Sequence, residues 1–439
     1  MRVAGDNTSV MWSAEKIREY LFYLLVFLLP WQTRYIFHDP QLFGGTWEYG
    51  RLSLYGWDIL LVVLVIWLWP RLRQELVLAF GTHRAFYLFL LLVSLAFLTG
   101  AWATETLLVS YWGLRLLEGI ALWLMVRALK PRLSVVCWSL LIAGTLQAVW
   151  GIAQFSTQAT FASKWLGVAI HPVAQGGTSV LLNEGGRWLR AYAGQVHPNV
   201  LGGLLVITSL ATAWLMVNGK IKNPYLAGRQ KESRIKDWFL MVAYPVQLVG
   251  LFVSFSRGAW LALGMTLCLW WFMELQARRG LRSVLLITAA VFVLCGSVLW
   301  SPTKERIFGS NSRLEQQSVE ERVGGVGESE NLLKTAWWRG VGLGNYTAAL
   351  AQYQPGLRAY RYQPVHNLFL LILTELGVVG LGLFLWFLYR RLLPFTIRNS
   401  LFVIPVLVTA LFDHYWWTSA SMMLLFWLIV AWAELREEG

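Results

Sequence analysis

The feature that most constrains this chain is a series of apolar runs, each long enough to cross a hydrocarbon layer of roughly 30 Å, which a helix does in about 20 residues. The runs fall at residues 20–38, 56–70, 85–103, 110–126, 134–154, 198–218, 238–254, 258–276, 283–300, 365–389, 393–412 and 416–434. Only 14% of the residues are charged and 57% are hydrophobic, with a mean hydropathy of +0.52. A single soluble core could not hide that much apolar surface, so lipid must cover it. The expectation is an all-α, polytopic membrane protein of about 12 transmembrane helices. It forms one membrane domain over residues 1–439, with the 26 tryptophans suited to interfacial belts.

Charge then sets the topology. Basic residues collect in alternate loops: Arg71, Arg73 and Arg84; Arg127, Lys130 and Arg132; Lys220, Lys222, Arg229, Lys231, Arg234 and Lys236; Arg278, Arg279 and Arg282; Arg390, Arg391 and Arg398. The positive-inside rule places these loops and both termini in the cytoplasm. Most of the formal charge of +13 is thereby explained without a nucleic-acid partner. Lys16 and Arg18 precede the run Tyr20–Phe37 without a small-x-small cleavage site, so that run reads as a retained first span. Cys137, Cys268 and Cys295 lie in apolar runs and show no metal-ligand spacing.

The two long loops, 155–197 and 301–364, fall on the opposite face and form the expected working surface. The second should be a partly helical cap, with an amphipathic interfacial helix over Ser329–Trp338. Residues 340–346, Gly-Val-Gly-Leu-Gly-Asn-Tyr, read as a turn-rich segment after it.

Unusual polar groups gather at the starts of spans on that outer face. Arg257 in Ser254-Phe-Ser-Arg-Gly reads as a snorkelling arginine or, at a helix N-terminus, as an anion ligand. His197-Pro198-Asn199 opens the next site as a capping motif or a binding motif, with Arg187 and Arg190 placing charge just upstream for an anion or for headgroups. His366-Asn367 begins another span, where a structural histidine and a general base are both open. Asp413 reads first as a helix cap, Arg322 as an exposed loop arginine, and Arg115 with Glu118 as an intramembrane pair.

These pieces together resemble the bacterial O-antigen ligases and their O-antigen polymerase relatives. The matching stretches are Arg190-Ala-Tyr-Ala-Gly-Gln-Val-His197-Pro-Asn, Ser256-Arg257-Gly-Ala-Trp, Glu321-Arg322 followed by Gly340-Val-Gly-Leu-Gly-Asn, and His366-Asn with Glu375-Leu-Gly-Val-Val-Gly. The resemblance covers roughly residues 110–435 in order and spacing. Where the family has a proline-containing turn before Gly-Val-Gly, this chain has Trp337-Trp338-Arg339.

The resemblance implies a bacterial inner-membrane protein acting on the periplasmic face, without metal or other cofactor. It would move a glycan from a polyprenyl-diphosphate carrier to a hydroxyl on a glycan or lipid acceptor, with inversion. It assigns diphosphate contacts to Arg257 and Arg322 and the base to His366. Arg187, Arg190, His197, Asn199, Asn367, Glu375 and Asp413 are the accompanying substrate-binding candidates. The absence of a DxD motif agrees with metal independence.

Two other readings stay open: a transporter or flippase of an anionic lipid-linked substrate, and a non-catalytic assembly partner. They divide on geometry. The enzyme reading expects the starts of the sixth, eighth, tenth and twelfth spans to converge, bringing His197, Arg257, His366 and Asp413 together, with Arg322 closing from the 301–364 loop.

Overall fold

The computed structural model describes residues 14–82, 84–183, 186–218, 230–274, 278–308, 313–392 and 397–434. Lys220, Lys222 and Arg229, and the termini expected in the cytoplasm, lie outside the described residues. Helix dominates. In chain order the first elements are α1 (Ala14–Leu28), strands β1 (Arg34–His38), β2 (Gln41–Leu42), β3 (Gly45–Thr46) and β4 (Leu52–Tyr55), then α2 (Gly56–Thr82), α3 (Arg84–Leu98), α4 (Thr106–Leu129) and α5 (Leu133–Thr157). The hairpin β5 (Val180–Asn183) and β6 (Gly186–Leu189) leads into α6 (Pro198–Asn218), α7 (Gln230–Val253), α8 (Arg257–Met273) and α9 (Arg278–Val298). The chain ends with α10 (Trp300–Phe308), α11 (Arg313–Ala336), α12 (Tyr346–Tyr353), α13 (Leu368–Leu392), α14 (Ile397–Ala410), α15 (Tyr415–Thr418) and α16 (Ala420–Glu434).

Among the described residues, six helices are long and apolar enough to cross a membrane: α4, α5, α6, α13 and the apolar parts of α7 and α9. Counting the bent pair Gly56–Gly81 with Phe86–Ala101 as one span raises this to seven. The expected twelve is not reached by this measure, because α1, α8, α14 and α16 span only 15, 17, 14 and 15 residues. At 1.5 Å per residue these helices fall short of the thickness of the layer.

Two local expectations change. The run 20–38 is not one helix: α1 stops two residues before Pro30, and Arg34–His38 pairs antiparallel with β4. Proline cannot donate the next helical hydrogen bond, and the β-branched and aromatic residues after it suit a strand. The helix expected over Ser329–Trp338 instead runs from Arg313 to Ala336. Gly324, Gly325 and Gly327 interrupt the apolar pattern there, although they do not break the helix.

α6 is the central helix and is apolar all round, as a helix surrounded by others must be. Close approach is possible because a Cβ at Gly202 would sit 2.7 Å from Cβ of Ser256, and one at Gly203 would sit 2.2 Å from the Tyr415 hydroxyl. α5 packs on α6 and α7, α8 on α14 and α6, α4 on α16 and α2, and α13 on α3 and α11. α9 lies at the periphery with Leu286, Val293, Leu294 and Val298 exposed for lipid.

Arg115 and Glu118 do pair, at 2.8 Å, but Arg115 also bonds Asp58 of α2 and the Ser53 carbonyl. The result is a buried cluster that joins α2 to α4. A second joint ties the 337–342 segment to α13. Gly377 breaks that helix with φ +69°, and Thr374 and Glu375 accept through their carbonyls from the N–H groups of Val341 and Gly342, both at 2.9 Å. Val378 N–H returns a bond to the Trp337 carbonyl at 2.9 Å.

Candidate functional site

The site is assembled where α7 turns directly into α8. Phe255 takes a left-handed conformation, φ +49°, which reverses the chain with no linker and leaves the Ser254 and Phe255 carbonyls free to accept from outside the helices. Arg190, just after β6, uses one: its Nε donates to the Ser254 carbonyl at 2.9 Å, its Nη1 to Ser179 Oγ at 3.1 Å and its Nη2 to Asn199 Oδ1 at 2.7 Å. Asn199 Nδ2 then donates to Asp413 Oδ2 at 2.8 Å. A continuous polar relay therefore runs from the 155–197 loop through the start of α6 to the segment between α14 and α15. Because these are buried groups, each link holds its neighbour in one rotamer.

His197 belongs to the same relay. Its Nδ1 accepts the Asn199 N–H at 3.1 Å, and its Nε2 faces Ser179 Oγ at 3.3 Å. Burial, then the charge of Arg190, depresses its pKa to about 3, so the ring is neutral at neutral pH.

Asn199, Arg257, Arg306, Arg322, Asp413 and Tyr415 line a cavity of about 200 Å³, with Leu261 and Phe412 on its apolar side. Arg257 is the first residue of α8, and its Nη1 donates to the Arg306 carbonyl at 3.2 Å. Arg306, on α10, donates through Nε to the Phe255 carbonyl at 2.9 Å. Arg322 comes from α11, inside the 301–364 loop.

His366 stands next to this cavity. Asn367 caps α13 by accepting the Leu370 N–H at 2.9 Å, and its Nδ2 donates to the Leu411 carbonyl at 3.1 Å, which draws the end of α14 to the start of α13. His366 Nδ1 then lies 3.6 Å from Asp413 Oδ1, just beyond a hydrogen bond, and the two rings of His366 and His414 are 5.2 Å apart. Burial alone would raise the Asp413 carboxyl, but the interactions with His366, His414 and His197 outweigh it and hold it well below the usual carboxylate range. Burial lowers His414 to about 4, against the pull of Asp413.

His366, Asp413 and His414 present ligand atoms within 4.8 Å of one another and are the set, among the described residues, that could hold a cation. Arg257, Arg306 and Arg322 line the same cavity as Asp413, and the field of three positive side chains favours an anion there instead.

Of the residues singled out in the sequence, Asn199, Arg257, Arg322 and Asp413 thus meet around one cavity, with His366, His197 and Arg190 reaching it through Asp413 and Asn199. Three are placed elsewhere. Arg187 donates to the Val173 and Gln175 carbonyls in the 155–197 loop. Asn367 is occupied as a cap, and Glu375 lies further along α13, accepting from Trp417 Nε1 at 2.9 Å. Arg306 and Tyr415 also line the cavity, and no spacing or motif in the sequence marks them.

Residues 242–385 match a family model described as O-antigen ligase. That segment includes Arg257, Arg306, Arg322 and His366 but not Asn199 or Asp413. No curated protein matches the chain.

Proposed function

We propose that this chain, whose residues 242–385 match the O-antigen ligase family model and whose apolar helices make it a multi-pass membrane protein, transfers a glycan from a polyprenyl diphosphate to a hydroxyl acceptor on the periplasmic face. The observation that carries this reading is the arginine-lined cavity with a histidine and a carboxylate at its edge. Arg257 and Arg322 bind the diphosphate, and fixed guanidinium groups stabilise its leaving charge without a metal. His366 takes the proton of the acceptor hydroxyl as that oxygen attacks the anomeric carbon from the face opposite the diphosphate, which inverts its configuration. Leu261 and Phe412 mark the side on which the prenyl chain reaches lipid.

The test incubates purified protein with a polyprenyl-diphosphate glycan and candidate acceptors and weighs the products. His366→Ala should lower transfer by about 10²- to 10⁴-fold while its thermal melt stays close to the parent's. Full transfer by that variant would remove His366 from the mechanism. Movement of labelled donor across proteoliposomes by the parent protein, with no covalent product, would favour a flippase.

A further inference from the structure

Arg306 is the unassigned member of the cavity. The residue is 5% exposed, it lines the same space as Arg257 and Arg322, and its Nε donates to the Phe255 carbonyl. It also locks into Arg257, whose Nη1 bonds the Arg306 backbone carbonyl. Replacing the Arg306 side chain leaves that carbonyl in place, so its own contribution can be separated from support of Arg257.

The chemistry gives a third guanidinium something to do. A diphosphate joined at both ends carries one negative charge on each phosphate. When the bond from the anomeric carbon to its diphosphate oxygen breaks, the electron pair stays on that oxygen, the acceptor oxygen takes its place on the carbon, and the acceptor proton goes to His366. The departing diphosphate then carries an additional charge, since the second ionisation of a phosphate lies near pH 6. Two guanidinium groups match the bound donor, and a third matches the charge that appears as the bond breaks. Resting on the glycan-transfer reading above, we propose that Arg306 is a further catalytic residue that contacts the departing diphosphate and acts on the chemical step more than on donor binding.

The experiment compares the parent, Arg306→Gln and Arg306→Lys in donor kinetics, together with calorimetric binding of inorganic pyrophosphate to each purified protein. For R306Q the expected result is a fall in kcat of about 10²-fold, with the donor KM changed less than about threefold, and pyrophosphate bound at least tenfold more weakly. R306K keeps the charge but not the planar fork, and should fall between the two. If R306Q fails to fold, a tenfold loss of kcat in folded R306K supports the proposal and parental kcat overturns it. A rise in KM with unchanged kcat, or parental kinetics in R306Q, overturns it as well. If the parent makes no product, the transfer reading fails by itself. Pyrophosphate then decides the residue: equal binding by parent and R306Q, or none by the parent, removes Arg306 from an anion site, whereas weaker binding by R306Q keeps it there.

Discussion

Replacing Asp413 by asparagine removes one charge from the site while keeping its shape, and the cost can be worked from one distance. On the proposed reading, in which His366 takes the acceptor proton, its ring becomes positive 3.6 Å from Asp413 Oδ1. Two unit charges at that separation interact by about 4 to 5 kcal/mol at an effective dielectric of 20. The His366 side chain is 21% exposed, so water screens part of this and about 3 to 4 kcal/mol is the working figure. That corresponds to a loss of about 10²- to 10³-fold in kcat. Asp413→Asn also disturbs packing, because both carboxylate oxygens accept bonds: Oδ1 from the His414 N–H and Oδ2 from Asn199 Nδ2. An amide can satisfy only one of them, at about 1 to 3 kcal/mol of stability. A double-mutant cycle separates the two effects. Single-turnover rates are measured for D413N, His366→Gln and the double variant, with thermal melts alongside. D413N should slow the parent strongly and the H366Q background hardly at all. A loss under fivefold in the parent, or an equal loss in both backgrounds, would refute the reasoning that Asp413 acts through His366.

Two further outcomes concern stability. His197 and His414 are held neutral, with pKa values near 3 and 4, whereas an unfolded histidine titrates near 6.5, so between those values the unfolded chain binds more protons and stability falls as pH drops. At pH 5 each should contribute about 2 kcal/mol less than at neutral pH, and melts at pH 7.5 and 5 that coincide would contradict this. Gly377→Ala requires φ +69° of a residue with a Cβ, which would stand 2.3 Å from the Trp338 carbonyl oxygen. A loss of about 3 kcal/mol or more is expected from the melt, and an unchanged melting temperature would show that the joint yields at no cost.

How much of this was legible in the sequence depends on the distance over which each signal acts. The helices α4, α5, α6 and α8 begin and end close to their apolar runs because burial in lipid and packing both follow composition, whereas α7 and α9 start earlier, at Gln230 and Arg278, in the polar residues before their runs. The strands after α1 were hidden, since Tyr20–Phe37 reads as a single apolar stretch and only Pro30 hints that it divides. α11 extends well before the amphipathic stretch Ser329–Trp338, through residues whose glycines and acids mask the helical pattern. Arg257 and Asn199 could be found from helix starts. Arg306 could not, because what places it beside Arg257 is the reversal at Phe255 and not any neighbour in the chain. The pairing of His366 with Asp413 likewise depends on Asn367 holding the Leu411 carbonyl.

The joint between residues 337–342 and 374–378 also acts as a ruler. Three backbone bonds fix which residue of the loop faces which residue of α13, so a single insertion or deletion within either stretch shifts the register and strands the carbonyls of Thr374 and Glu375. The chain between them turns at a tip where Pro355, Gly356 and Leu357 are exposed and a Cβ at Gly356 would meet nothing within 4 Å, while the buried Tyr362 hydroxyl accepts from the Leu357 N–H at 3.0 Å and donates to the Gln354 carbonyl at 2.7 Å. A peptide tag or fluorophore-accepting loop therefore belongs at Gly356, where it leaves the three register-setting bonds intact.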